Sequence, residues 1–160
     1  ATVKRNIVVI PENAENEIGF PFWILKVWNI ARNTGVKTIF YAPTKTMQYI
    51  KDVHKKQSID AEFIEFENFG DFLVLSRDIR NDDMLLFIFS RKGRPSYNEN
   101  MAKIPSYLHQ YFSSNNFILI FPLQTGVIYS SSPDYNNPSI IEPLEKLDDI
   151  GKTISNLFKK

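Results

Sequence analysis

The sequence predicts an α/β fold, a three-layer α/β/α sandwich around a five-stranded, mainly parallel sheet of the Rossmann-like kind. Two observations carry this prediction. Short runs of β-branched and aromatic residues recur with almost no polar alternation, as in strands that are buried on both faces. Between these runs lie longer segments with apolar residues at helical spacing, and such alternation predicts right-handed crossovers with helices on both faces of the sheet.

Five apolar runs are predicted to form the strands. The first run, NIVVI, is bounded by Pro11, and the fourth, MLLFIFS, is the most hydrophobic of the five. The predicted strands are residues 6–10, 37–41, 61–66, 84–90 and 116–121. In open sheets of this class ligands bind beyond the carboxyl ends of the strands, so a site is expected in the loops that follow these runs.

The segments between the strands are predicted to be helical. Residues 21–33 have broad apolar coverage and stop before Gly35, and a second helix opens at Thr44. A third helix is predicted over residues 72–80, and a fourth contains Leu108.

The chain divides by composition into three parts. Residues 1–122 form the predicted α/β domain. Residues 123–142 are rich in Ser, Asn and Pro, which predicts an irregular loop or a partner-binding arm. Residues 143–160 are predicted to form a C-terminal amphipathic helix, which packs on its own domain or docks on another subunit. Its apolar side is formed by Leu144, Leu147, Ile150, Ile154 and Leu157.

Composition argues against several classes of function. The chain has 19 basic and 18 acidic residues among 160, so it lacks the positive field of a general nucleic-acid binder, and no nucleic-acid partner is expected. It has no cysteine, which excludes disulfides and thiolate metal sites and fits a reducing cytoplasm. The longest apolar runs are far shorter than the roughly 20 residues that span a bilayer.

The loop after the fourth predicted strand, SRKGRPSY, is the most informative segment for function. Three basic side chains, two serine hydroxyls and one glycine follow a central buried strand, where anions are expected to bind. The candidate anion ligands are Ser90, Arg91, Lys92, Gly93, Arg94 and Ser96. A solvated basic turn explains the same residues equally well.

Two other strand ends offer ligand-binding candidates. Pro11, Glu12 and Asn13 follow the first strand, where a polar side chain could bind a ribose hydroxyl, although a capping turn is the simpler interpretation. Tyr41 ends the second strand and could stack on a flat base, although an aromatic residue there is more often core or rim. The case for a site depends on these residues converging in the fold.

No catalytic, metal-binding or cofactor-binding motif is found. The two histidines, His54 and His109, stand on separate predicted helices without a second ligand at helical spacing. Nucleophile elbows, phosphate-binding P-loops and dinucleotide fingerprints are absent from the sequence. We therefore expect no enzyme activity, no metal and no cofactor.

Residues 6–122, taken with these motifs, resemble the universal stress protein fold. More narrowly, residues 84–122 resemble the cytosolic C-terminal domain of bacterial sodium/proton antiporters of the monovalent cation/proton-2 type, through LLFIFSRKGRPSY, KIPSYLHQYF and NFILIFP. The resemblance implies a domain at the cytoplasmic face of the inner membrane that follows a transmembrane transport domain in the same polypeptide. It would also account for a chain that starts at Ala1 without a methionine.

The resemblance also implies where a nucleotide would bind. Universal stress proteins that bind ATP carry Gly-x2-Gly-x9-Gly-[Ser/Thr] after the fourth strand, and the matching positions here are Ser90, Gly93, Lys103 and Ile104. Only Gly93 fits, and side chains at the other glycine positions would crowd a close phosphate approach. Lys103 could supply an ammonium group to a different anion. The acidic residue usual near the first strand corresponds to Glu12 or, by spacing, to Asn13.

These observations lead to a leading hypothesis and two alternatives. The leading hypothesis is a non-catalytic regulatory or assembly domain of a cation/proton antiporter, which dimerises and senses a nucleotide or another anion at the basic loop. The first alternative is a free-standing universal stress protein that binds a nucleotide. The second is a purely structural dimerisation module whose fifth strand, at the edge of the sheet, pairs with its mate.

Overall fold

A computed structural model describes residues 2–123 of the chain, which form a three-layer α/β/α sandwich. Its sheet has five strands in the order β3-β2-β1-β4-β5, and every neighbouring pair is parallel. The strands are β1 (Arg5–Val9), β2 (Lys37–Ala42), β3 (Ala61–Glu65), β4 (Asp83–Ile88) and β5 (Asn116–Ile120). The predicted fold class is confirmed, and the sheet is parallel throughout.

Helices cover both faces of this sheet. The α-helices are α1 (Phe20–Thr34), α2 (Thr44–Lys56), α3 (Phe72–Leu75) and α4 (Ile104–Tyr111). One apolar core joins α1 and α2 to the first face, and a second joins α3 and α4 to the other. Short 3₁₀ helices stand at Ala14–Asn16, Phe69–Asp71 and Glu99–Lys103.

The third helix is shorter than the predicted residues 72–80, because the helix ends at Leu75. The hydroxyl of Ser76 donates to the carbonyl oxygen of Leu73 at 2.5 Å, and the next backbone bonds are of the tighter turn type. Such a hydrogen bond from a side-chain hydroxyl competes with the backbone hydrogen bonds of the helix. Apolar spacing alone does not register this competition and therefore predicts too long a helix. The irregular segment at 123–142 lies outside the described residues from 124 onwards, and the predicted C-terminal helix at 143–160 lies outside them entirely.

Candidate functional site

The strand order brings the loops after β1 and β4 side by side. These two strands are adjacent and parallel, with Val9 opposite Phe87, so the turn that begins at Pro11 and the basic loop that begins at Ser90 leave the same edge of the sheet. This is the point at which the chain reverses its direction of winding, where doubly wound sheets form their ligand crevice. Two of the three predicted parts of the site, the turn after β1 and the basic loop after β4, therefore lie side by side.

A carboxylate of the protein itself occupies the donors of the basic loop. The Ser96 hydroxyl and backbone N–H donate to Oε1 of Glu17 at 2.6 and 3.1 Å, and the Ser90 hydroxyl donates to the same atom at 3.5 Å. Glu17 is only 3% exposed. Several donors on one buried carboxylate oxygen are the contacts that a phosphate oxygen would make, so an external anion would have to displace Glu17.

The β1–α1 loop uses two more carboxylates to join its neighbours. Glu12 accepts a hydrogen bond from the backbone N–H of Phe69 at 3.2 Å, in the loop after β3. The buried Glu15 accepts one from the Thr46 hydroxyl at 2.7 Å, at the start of α2. Together with Glu17, these side chains attach the β1–α1 loop to the segments that follow β2, β3 and β4.

The predicted ribose-binding residues around Glu12 have structural roles here. Pro11 is buried, and Asn13 is exposed in the left-handed region, with φ of 62°. Asparagine tolerates that conformation better than most residues, and its position starts the 3₁₀ turn that carries Glu15 inward. The turn therefore orients its acidic side chains towards the protein.

The basic loop is a pair of tight turns anchored to the end of β5. The Arg94 N–H bonds to the Arg91 carbonyl at 3.1 Å, and Gly93 between them has φ of 85°, which favours glycine in such a turn. The Arg91 guanidinium lies over the Phe121 ring at 5.6 Å and donates to the Pro122 carbonyl at 3.0 Å. Arg91 therefore contributes to holding the loop against the chain that leaves the sheet.

The remaining predicted ligands differ in their exposure to solvent. Lys92 is exposed beside Gly93, and Lys103 is exposed at the end of the 3₁₀ helix before α4. Tyr41 belongs to the core on the α3 and α4 face, where its ring contacts Phe66 edge to face. Burial raises the pKa of Tyr41, and the charge of Asp78 adds to this shift.

Glu17 is the important residue that the sequence reasoning missed. It and Ser96 are 79 positions apart, and no motif links them. The one sequence signal for this role of Glu17 is its position in the loop after the first strand. That signal points to Ser96 only if β1 and β4 are neighbours in the sheet.

The edge strand β5 is the second feature of functional interest. Phe117 is 49% exposed, Ile118 36% and Phe121, just beyond the strand, 51%. No other strand of residues 2–123 pairs with the outer side of β5. Grooves lie on both of its faces, one of about 370 Å³ against α1 and one of about 300 Å³ against α4.

Residues 2–123 contain no cluster of three side chains suited to a metal ion. No helix in that part of the chain has the length and hydrophobicity needed to span a membrane. Comparison of the chain with known protein families, curated proteins and solved structures finds no match in any of the three.

Proposed function

We propose that this chain is a non-catalytic assembly and regulatory domain that acts through the exposed edge of β5. Following the resemblance of residues 84–122, we further propose that it serves a cation/proton antiporter at the cytoplasmic face of the membrane. The observation that carries the assembly role is the uncharged, apolar outer strand, which is 49% exposed at Phe117. Edges of this kind favour pairing with another chain.

The partner that best fits this edge is a second copy of the same chain. Two β5 strands related by a two-fold axis near Ile118 would pair antiparallel and extend the sheet without interruption. The strand sequence is NFILI, so no like charges would face each other across the axis. Such self-pairing would also cover Phe117 on both copies.

Phe117→Lys is the direct test of this surface. We expect the wild-type chain to sediment as a dimer and the variant as a monomer, because lysines on an edge strand oppose edge-to-edge pairing. Val74→Lys is the matched control, since Val74 is 59% exposed on α3, away from β5. A monomeric wild-type chain, or equal dimerisation of both variants, would contradict the assembly role.

The antiporter assignment is checked by the same pair of variants within the full-length transporter. We expect Phe117→Lys to change the regulation of cation/proton exchange in membrane vesicles, whereas Val74→Lys leaves it unchanged. Unaltered regulation in a transporter whose domain no longer dimerises would separate dimerisation from regulation and would contradict the proposal.

A second candidate function is anion or nucleotide sensing, as in a free-standing universal stress protein. It is favoured by the convergence of the β1 and β4 loops and opposed by the occupation of Ser90 and Ser96 by Glu17. Thermal unfolding with a panel of nucleotides and phosphate tests it, because a ligand that binds the folded state raises the unfolding temperature. We expect no shift for the wild-type chain. A shift that Gly93→Val abolishes would favour sensing.

A further inference from the structure

The groove between α1 and β5 is an open part of the surface formed by residues 2–123. It is lined from α1 by Gly19, Phe22, Trp23 and Lys26 and from the end of the chain by residues 118–123. Both described helices of this face, α1 and α2, precede β3 in the chain, and within residues 2–123 no helix after β5 covers the groove. The indole N–H of Trp23, which belongs to this lining, is buried and has no hydrogen-bond acceptor among residues 2–123.

The chain itself is directed into this groove after β5. The Gly19 N–H donates to the Leu123 carbonyl at 2.9 Å, which holds the exit segment over the start of α1. A Cβ at Gly19 would lie 2.6 Å from backbone atoms of Leu123, so the close approach requires glycine. Leu123 is thus both the last described residue and part of the groove lining.

We propose that the predicted amphipathic helix at residues 143–160 of the same chain packs into this groove beside α1. Its apolar stripe from Leu144 to Leu157 would span about 20 Å, close to the roughly 22 Å of α1. The intervening segment 124–142 can reach any point along the groove at up to about 3.5 Å per residue. The inference goes beyond the proposed function, because it concerns the α1 side of β5 and does not require a dimer.

This docking leaves the dimer edge available. On β5, Ile120 belongs to the α1 and α2 core, whereas Leu119 packs on the α3 and α4 side and Phe117 lines the groove against α4. A helix on the α1 side would therefore cover Ile118, which shares the side of Ile120 because strand residues alternate. The outer hydrogen-bonding groups of β5 and Phe117 would stay exposed for a partner.

Backbone hydrogen exchange of the full-length chain tests the proposal. We expect the amides of residues 147–157 to exchange about tenfold or more slowly than those of an unstructured peptide. Phe22→Lys, in the groove, should remove this protection, whereas Gln48→Lys, at an exposed position of α2 outside the groove lining, should keep it. Amides of 147–157 that exchange at the unstructured rate, or protection that survives Phe22→Lys, would overturn the proposal.

A second pair of variants keeps the test valid if Phe22→Lys fails to fold. Ile150→Lys lies on the apolar stripe and should remove the protection, and Asp149→Lys lies off the stripe and should keep it.

Phe117→Lys separates this proposal from dimerisation. Protection that persists in a monomeric Phe117→Lys chain supports docking within one chain, and protection that disappears with the dimer assigns the helix to the partner and overturns it.

Discussion

The two edges of the sheet, β3 and β5, differ in the way they meet solvent. β3 reads AEFIE and places the exposed carboxylates of Glu62 and Glu65 along one outer strand. β5 reads NFILI and has no charged side chain. Charges on an edge strand oppose pairing with other chains, so β3 is protected and β5 is suited to being covered. Within residues 2–123, the β5 edge is therefore the one suited to contact with another segment or chain.

The segments that follow the two edge strands differ in the same way. After β3, Glu67 accepts hydrogen bonds from the backbone N–H and the hydroxyl of Thr44, so this loop is completed by polar contacts with α2. After β5, the chain turns over α1 through Gly19 and leaves apolar side chains at the surface. We therefore expect another segment or another chain to bind at the β5 side of the domain.

The largest difference between the two sides is expected at their glycines. Gly19→Ala should lower the free energy of unfolding by about 1–3 kcal/mol, because its Cβ would meet the backbone of Leu123 at 2.6 Å. Gly70→Ala, in the loop after β3, should cost less than about 1 kcal/mol, because its Cβ would meet only side-chain atoms, Asn100 Nδ2 at 2.7 Å and Asn68 Oδ1 at 3.0 Å, and these side chains can shift. Urea unfolding of both variants measures the two losses of stability, and equal losses would show that the two loops tolerate an added Cβ equally well.

A smaller effect is expected from the pH dependence of the β3 side. Hydrogen bonds from the Thr44 hydroxyl and backbone hold the pKa of Glu67 below its ordinary value of 4.5. A carboxyl whose pKa is lowered on folding stabilises the fold above its unfolded pKa, and this contribution is lost as pH falls through the folded value. Acidification should therefore loosen the contact of Glu67 with α2.

Carbon-detected titration of the Glu67 carboxyl checks this expectation. Thr44→Ala should raise the pKa of Glu67 towards 4.5, and Thr44→Ser, which retains a hydroxyl, should leave it low. Residues 116–121 contain no ionisable side chain, so the β5 edge should not respond over the same pH range. An unchanged Glu67 pKa in Thr44→Ala would show that the hydroxyl contributes nothing.

The candidate site shows where sequence reasoning succeeds and where it stops. The adjacency of the loops that follow β1 and β4 agrees with the general rule that sites form beyond the carboxyl ends of parallel strands. The role of Glu17 did not, because its partner Ser96 is 79 residues away and only the pairing of β1 with β4 brings them together. Tyr41 ends a strand, as the rule requires of a site residue, yet its side chain belongs to the core on the α3 and α4 face.

The order of strands and helices and the parallel, doubly covered sheet can be predicted from the sequence, because apolar periodicity and turn residues act locally along the chain. The tertiary structure was needed to show which loops meet, that the carboxylate of Glu17 accepts hydrogen bonds from the donors of the basic loop, and that β5 is an outer strand of the sheet within residues 2–123. These features depend on contacts between segments far apart in sequence, and no local pattern encodes which distant side chain will reach a given donor.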